Sequence, residues 1–503
     1  MAATGELTTA AKVAPQITAT SAATLTTVIV NGSTLYSPPQ LFAAYRDQLG
    51  RPLSREAARA ILGGLADLYV RDGYVKPELA LDDALAARGV LRVQVFEAQV
   101  TSVIYEGDGR FSDALDTIGA QLENARPLRK DDVAQALRAM RQFAGLAVTA
   151  TTRRDPVIRN AFELLVKTDY SPVEGVVRMN NRGTNQAGPM FLLGQLFANG
   201  LLGGREKLGL IFAAAADHEE YLGGGLYADT ALGSGGTRVN ALLFRSHSAP
   251  NEAPVNYDDE YTRERATFRI TKPVQLPSDL ALNASFGFEA DDLTIDRSGA
   301  EIRDDRLRIV EGALRASWRA GTTQLMANLQ LRQGLDALGS GLQSTFLLDD
   351  PRRADFIVTL MQATAYRRFA DRWSVRVDAF AQNSGYVLPD SERFKIGGDR
   401  LGRGFEVAEI AGDSGLGGKL ELRRDIINTD TLVGRLSAYG FYDIGAAWKQ
   451  DLPGRESAAT AGSGLAIQGA ALTGYLEVAM PLTGTDIEGK RRASVFAEIS
   501  YRF

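Results

Sequence analysis

The chain is 503 residues long, with 51 glycines, two histidines, no cysteine and a formal net charge of −5. The absence of cysteine excludes a disulfide framework and thiolate metal sites, and two histidines, His218 and His247, give no basis for a histidine-based zinc site or a catalytic triad. The negative balance argues against bulk nucleic-acid binding, and the expectation is a protein with no cofactor and no metal.

The N-terminus, MAATGELTTAAKVAPQ, has neither a basic start nor an apolar core, so no signal peptide is visible. No run approaches the roughly 18 uninterrupted apolar residues of a membrane-spanning helix. The nearest, FLLGQLFANGLLGG (191–204), is interrupted by Gln195 and Asn199.

From residue 27 to about 171 the chain reads as two small α/β modules. TTVIVNG predicts a strand, and SPPQLFAAYRDQLG a helix with prolines near its start. SREAARAILGGLADLYVRDGY (54–74) predicts a second helix with Ile61, Leu65, Leu68 and Tyr69 on one face and Gly73 as its C-terminal stop. GVLRVQVFEAQV (89–100) then alternates as a strand. The order strand, helix, helix, strand recurs in VTSVIYEG, FSDALDTIGAQL, RKDDVAQALRAMRQFAG, LAVTATTRRD and AFELLVKTDY, an internal repeat of about 70 residues. Neither copy carries residues that suggest chemistry.

Beyond residue 171 the period becomes 2 almost throughout. In TTQLMANLQLRQ, Leu325, Ala327, Leu329 and Leu331 share one face, and Gln324, Asn328, Gln330 and Arg332 the other. RATFRIT, ALRASWR and SVRVDAFAQ alternate in the same way, with arginine, aspartate and glutamine on the polar face. Segments on the order of 9–12 residues match what a tilted strand needs to cross a bilayer. Polar faces of this kind suit a water-filled lumen. About sixteen such segments are expected between residue 174 and the end, closed into a barrel so that every backbone group is paired. The last, ASVFAEISYRF, places Ile499, Tyr501 and Phe503 on one face and stops on an aromatic. This resembles the terminal strand signal that outer-membrane barrels present to the machinery that assembles them. The fold class expected is therefore an outer-membrane β-barrel of about 16 antiparallel strands, preceded by two small α/β domains. Its solvent partner is the lipid bilayer, and the chain is read as a mature form lacking its signal.

IGGDRLGRGFEVAEIAGDSG (396–415) lies between the eleventh and twelfth segments. Gly397 and Gly402 have the spacing of a phosphate-binding loop, but Arg403 and Gly404 follow where Lys and Ser or Thr are needed, and no helix follows. Downstream, LSAYGFYDIGAAW turns Phe441, Asp443 and Gly445 toward the lumen. A lumen-facing aspartate is a geometric match for an incoming arginine, because the guanidinium–carboxylate pair is bidentate. The loop 384–415 is therefore expected to fold back inside the barrel.

LGRGF with the later FYDIG resembles the loop-tip and wall motifs of the two-partner secretion transporters (TpsB), within the superfamily that also holds the BamA-type assembly factors. LYVRDGY…GVLRVQVFEAQV resembles the first POTRA domain of the same transporters. The resemblance implies POTRA domains at 27–99 and 100–171 and a transmembrane barrel at 172–503. It further implies Arg403 paired with Asp443, with Gly402, Gly404 and Phe405 shaping the tip and Phe441 and Gly445 the wall. The transporters usually begin with a helix and linker that plug the pore; residues 1–26, short and Ala/Thr-rich, would be a tail or partial plug. The implied function is export of an unfolded exoprotein, captured by periplasmic POTRA domains and passed through the barrel. The implied partners are that TpsA-like client and the barrel assembly machinery for the chain's own insertion. A BamA-like insertion factor and a passive porin are the alternatives.

Overall fold

Two serines start the helices of the first module. In the computed structural model, which describes residues 23–184, 188–250, 258–274, 276, 280–345, 350–429, 434–484 and 492–503, Ser37 forms a capping box with Gln40 at the head of α1 (Pro38–Tyr45). The Ser54 side chain accepts the Ala57 N–H at the head of α2 (Arg55–Arg71). Gly73, left-handed at φ +86°, follows the end of α2. The helix buries Ile61, Leu65, Leu68 and Tyr69, against a sheet in which β1 (Thr27–Asn31) runs parallel to β3 (Val90–Phe96) and β2 (Glu78–Asp82) antiparallel to it. Burial and hydrogen bonds from Ser33 and to the Glu97 carboxylate hold the Tyr69 hydroxyl, whose pKa is driven upward mainly by that burial.

The second module repeats the first. β4 (Gln99–Gly107) is parallel to β6 (Ala161–Tyr170), β5 (Leu146–Arg154) is antiparallel to it, and α3 (Ser112–Glu123) and α4 (Asp132–Met140) lie between β4 and β5 in the chain. Two details differ from the sequence expectation. The five-residue β2 is too short for its alternation to stand out. The predicted strand 89–100 is two strands, because Val95 belongs to the first core and Ala98 and Val100 to the second. Contacts divide the chain into two units after Ser171. The tail expected at 1–26 lies almost wholly outside the described residues.

The second unit is a closed antiparallel barrel. Its strands are β7 (Val173–Asn180), β8 (Phe191–Asn199), β9 (Glu206–Ala215), β10 (Leu222–Leu232), β11 (Thr237–Ser248), β12 (Asp259–Val274), β13 (Leu280–Arg297), β14 (Ala300–Ala320), β15 (Thr323–Gly334), β16 (Gly341–Ser344), β17 (Ile357–Ala370) and β18 (Trp373–Ser384). After the hairpin of β19 (Phe394–Ile396) and β20 (Ile410–Gly412) come β21 (Ser414–Asn428), β22 (Arg435–Trp448), β23 (Glu456–Gln468), β24 (Leu472–Pro481) and β25 (Ser494–Arg502). The wall has sixteen positions; β15 and the short β16 both pair with β14 and share the ninth.

Alternation decides the two faces. Leu243, Phe268, Phe286, Leu314, Leu420 and Ile444 are among the large apolar side chains exposed on the outside, where lipid replaces water. Inside, arginines of β12 pair with carboxylates of the next strand, Arg263 with Asp291 and Arg265 with Glu289, and Arg269 reaches across Gly287 of β13 to Glu311 of β14. The expected segment length is too uniform. β13 has 18 residues and β14 has 21, because their ends run on beyond what a bilayer requires and stay paired with each other.

Candidate functional site

The segment between β18 and β21 enters the lumen and packs there. Phe394, Ile396, Leu401 and Phe405 are buried against Phe380, Ala447 and Ala458 of the wall. The wall makes room with glycine. A Cβ on Gly415 would sit 2.0 Å from the Phe394 ring, and one on Gly417 would sit 2.3 Å from Leu401. A Cβ on Gly445 would lie 3.0 and 3.1 Å from the Ile396 and Leu401 side chains. At the tip the two glycines do different jobs. Gly402 is left-handed at φ +84°, whereas Gly404 lacks a side chain because Pro481 and Thr460 stand 2.9 Å from where it would be.

Arg403 is the centre of the tip. Its Nε donates to Asp443 Oδ2 at 3.0 Å and its Nη2 to Asp443 Oδ1 at 2.9 Å. The backbone N–H groups of Gly402 and Arg403 add longer bonds to Oδ2 at 3.3 and 3.2 Å. The guanidinium lies over the Phe441 ring, 3.4 Å from its centroid, a stacked cation–π arrangement. Thus Gly402, Arg403, Gly404, Phe405, Phe441, Asp443 and Gly445 are all brought together.

Two partners were not anticipated. Arg403 Nη1 donates to Glu477 Oε2 at 3.0 Å and reaches Glu421 Oε2 at 3.4 Å. Glu477 is 2% exposed and also accepts from the Tyr439 hydroxyl at 3.0 Å. A signal for it exists: it is the one charge in β24, LTGYLEVAMP, and sits mid-strand with inward parity.

The stem of the loop is held separately. Arg332 donates Nε and Nη2 to Glu392 at 2.8 and 3.0 Å, while also pairing with Glu311 and Glu289. Asp390 pairs with Arg303 at 2.8 Å. Asp413, fully buried, accepts the Leu388 and Gln450 N–H groups at 2.8 and 2.7 Å and closes the loop's base.

Ile499, Tyr501 and Phe503 face outward and are half exposed. Phe503 lies over Gly175 of the first barrel strand, where a Cβ would be 2.2 Å from its ring. Their N–H and C=O groups exchange bonds of 2.9 and 3.0 Å.

The chain resembles solved structures over almost its whole length. CdiB from Escherichia coli matches with a TM-score of 0.77 at 19% identity, over 95% of this chain and 90% of that one. CdiB from Acinetobacter baumannii matches with a TM-score of 0.66 at 13% identity, over 95% and 90%. BamA from Haemophilus ducreyi lacking POTRA domains 1–3 matches with a TM-score of 0.55 at 14% identity, over 96% and 100%. Among curated protein sequences there is no match. The family model described as haemolysin secretion/activation protein ShlB/FhaC/HecB matches residues 164–469, more than half of the chain. With its closed sixteen-position barrel and two POTRA-like modules, the chain belongs to this family of two-partner secretion outer-membrane transporters.

Proposed function

We propose that the chain captures an unfolded exoprotein through two periplasmic POTRA domains, 27–99 and 100–171, and passes it through the barrel of residues 172–503. The observation that carries this reading is the family match together with a polar lumen occupied by a docked loop. The first sheet has the order β1-β3-β2 and the second β4-β6-β5, so each module carries edge strands within its own sheet. An extended client adds a strand to such an edge through main-chain bonds, with little demand on its sequence. Folding of the client on the far side then opposes its return. The loop tip sets the width of the conduit, and Arg403 and Asp443 hold it.

The test is secretion of the cognate exoprotein by cells with and without the chain, combined with crosslinking of a stalled client to residues 27–171. Capture of an extended exoprotein supports export. Capture of a nascent barrel instead would favour an insertion factor, and capture of nothing a solute pore.

A further inference from the structure

The barrel closes where β25 meets β7, and among the described residues this joint has the shortest register between full-length wall strands. Five residue pairs, from Glu498–Asn180 to Arg502–Val176, are in register there, with backbone bonds at Gly175–Phe503 and Asn181–Ala497 continuing it by one pair at each end. The β7–β8 and β24–β25 joints each have eight among the described residues, and the β13–β14 joint has eighteen. Side chains extend the short joint. The Asn181 amide donates to the Val495 carbonyl at 2.9 Å and accepts the Ala497 N–H at 2.7 Å, acting as two further rungs.

Arg182, next in the chain, crosses the joint altogether. Its guanidinium lies over the Phe496 ring of β25, 4.2 Å from the centroid, and donates to the Tyr475 hydroxyl and to Glu477 Oε1 of β24, both at 2.6 Å. Glu477 is the same carboxylate that takes Arg403 on its other oxygen. Arg182 and Glu477 are 9% and 2% exposed, so the ion pair is held away from bulk solvent. One buried side chain therefore has the loop tip on Oε2 and the strand-closing arginine on Oε1.

We propose that Glu477 couples docking of the loop tip to closure of the barrel, with Arg182 as a positioning residue that acts on the loop without touching it. A buried carboxylate gripped from both sides has one orientation. Losing either guanidinium lets that side chain shift toward its remaining partners, which on Oε2 include the Tyr439 hydroxyl, and weakens the geometry of the other contact. Coupling of this kind is reciprocal. It holds whatever crosses the lumen, so it stands or falls apart from the export reading.

The chain has no cysteine, so introduced cysteines are unique labelling sites. Spin labels at Val177→Cys and Leu465→Cys, both on the outer surface, report the joint. Labels at Val407→Cys on the loop and Met361→Cys on the wall report docking. Distance distributions are measured in the full-length protein in vesicles, with heat-modifiable mobility on gels confirming a folded barrel. Arg182→Ala is expected to broaden the loop distribution as well as the joint, and Arg403→Ala to broaden the joint as well as the loop. The double variant is expected to show less than the sum. Arg182→Lys, which keeps the charge but not the fork, should fall between wild type and Arg182→Ala. If each single substitution broadens only its own reporter, or the double is additive, the coupling is overturned. Glu477→Gln, where it folds, should broaden both reporters; broadening of one alone also overturns the proposal.

Discussion

Arg403 and Asp443 meet through two parallel hydrogen bonds, Nε to Oδ2 at 3.0 Å and Nη2 to Oδ1 at 2.9 Å, with the aspartate fully buried. Forty residues apart in sequence, they are joined because the loop bends back into a lumen whose wall strand presents the carboxylate. The contact fixes the tip in position and in rotation, since a fork on a carboxylate permits little twist.

Arg403→Ala is expected to reduce secretion strongly while leaving an assembled barrel. Removing one partner of a buried ion pair costs on the order of 3–5 kcal/mol, less where water enters. Asp443→Ala should do much the same, and the double variant should be little worse than either alone. Arg403→Lys should not restore activity fully. Secretion and trypsin sensitivity of the loop measure this; full activity of Arg403→Ala would reduce the arginine to a passive loop charge.

The stem should yield independently of the tip. Glu392→Gln removes the charge that Arg332 grips bidentately, while leaving Glu289 and Glu311 to hold that arginine. The barrel should stay folded, and trypsin should cut faster after Arg393 and Lys395. Protection equal to wild type would show that the Asp413 and Asp390 anchors suffice without it.

Replacing Phe503 by aspartate should lower the yield of folded barrel, because its ring covers Gly175 on the lipid side. Gly175→Val should lower it too, by driving a side chain into the ring. Heat-modifiable mobility of membrane fractions reads both. Unchanged yields would remove the terminal aromatic from any part in closure.

Deleting residues 28–99 should abolish export and leave the barrel in the membrane, if the first module receives the client. Export that survives the deletion assigns capture to residues 100–171 instead.

Much of this architecture was legible from period alone. Leu325, Leu329 and Leu331 against Gln330 and Arg332 define the wall's two faces without any tertiary information, and Phe441, Asp443 and Gly445 fell inward by the same parity. Glu477 was harder to see. Its partners lie 74 and 295 residues away, and parity states which way a side chain points but not what arrives to meet it. Arg332 and Glu392 escaped for the same reason. Each looks like one more lumen charge until the loop's path is known. The length of β13 and β14 also lay beyond the pattern, since a strand that leaves the bilayer keeps its pairing after its hydropathy signal ends.

β12 carries a measure of the membrane on its outer face. Glu264 and Lys272 bracket Ala266, Phe268 and Ile270, and Glu264 stands in cross-strand register with Arg245 on one side and Asp292 on the other. Eight residues at about 3.4 Å each span roughly 27 Å along the strand, or about 20 Å along the membrane normal at a tilt near 45°. That is shorter than the roughly 30 Å hydrocarbon thickness of an average bilayer, and bacterial outer membranes are themselves thinner than average. In a thicker host bilayer the charged row of Glu264, Arg245 and Asp292 at one rim and the Lys272 ammonium at the other cannot sink into the acyl chains, so the lipid around this side of the barrel has to thin to meet them.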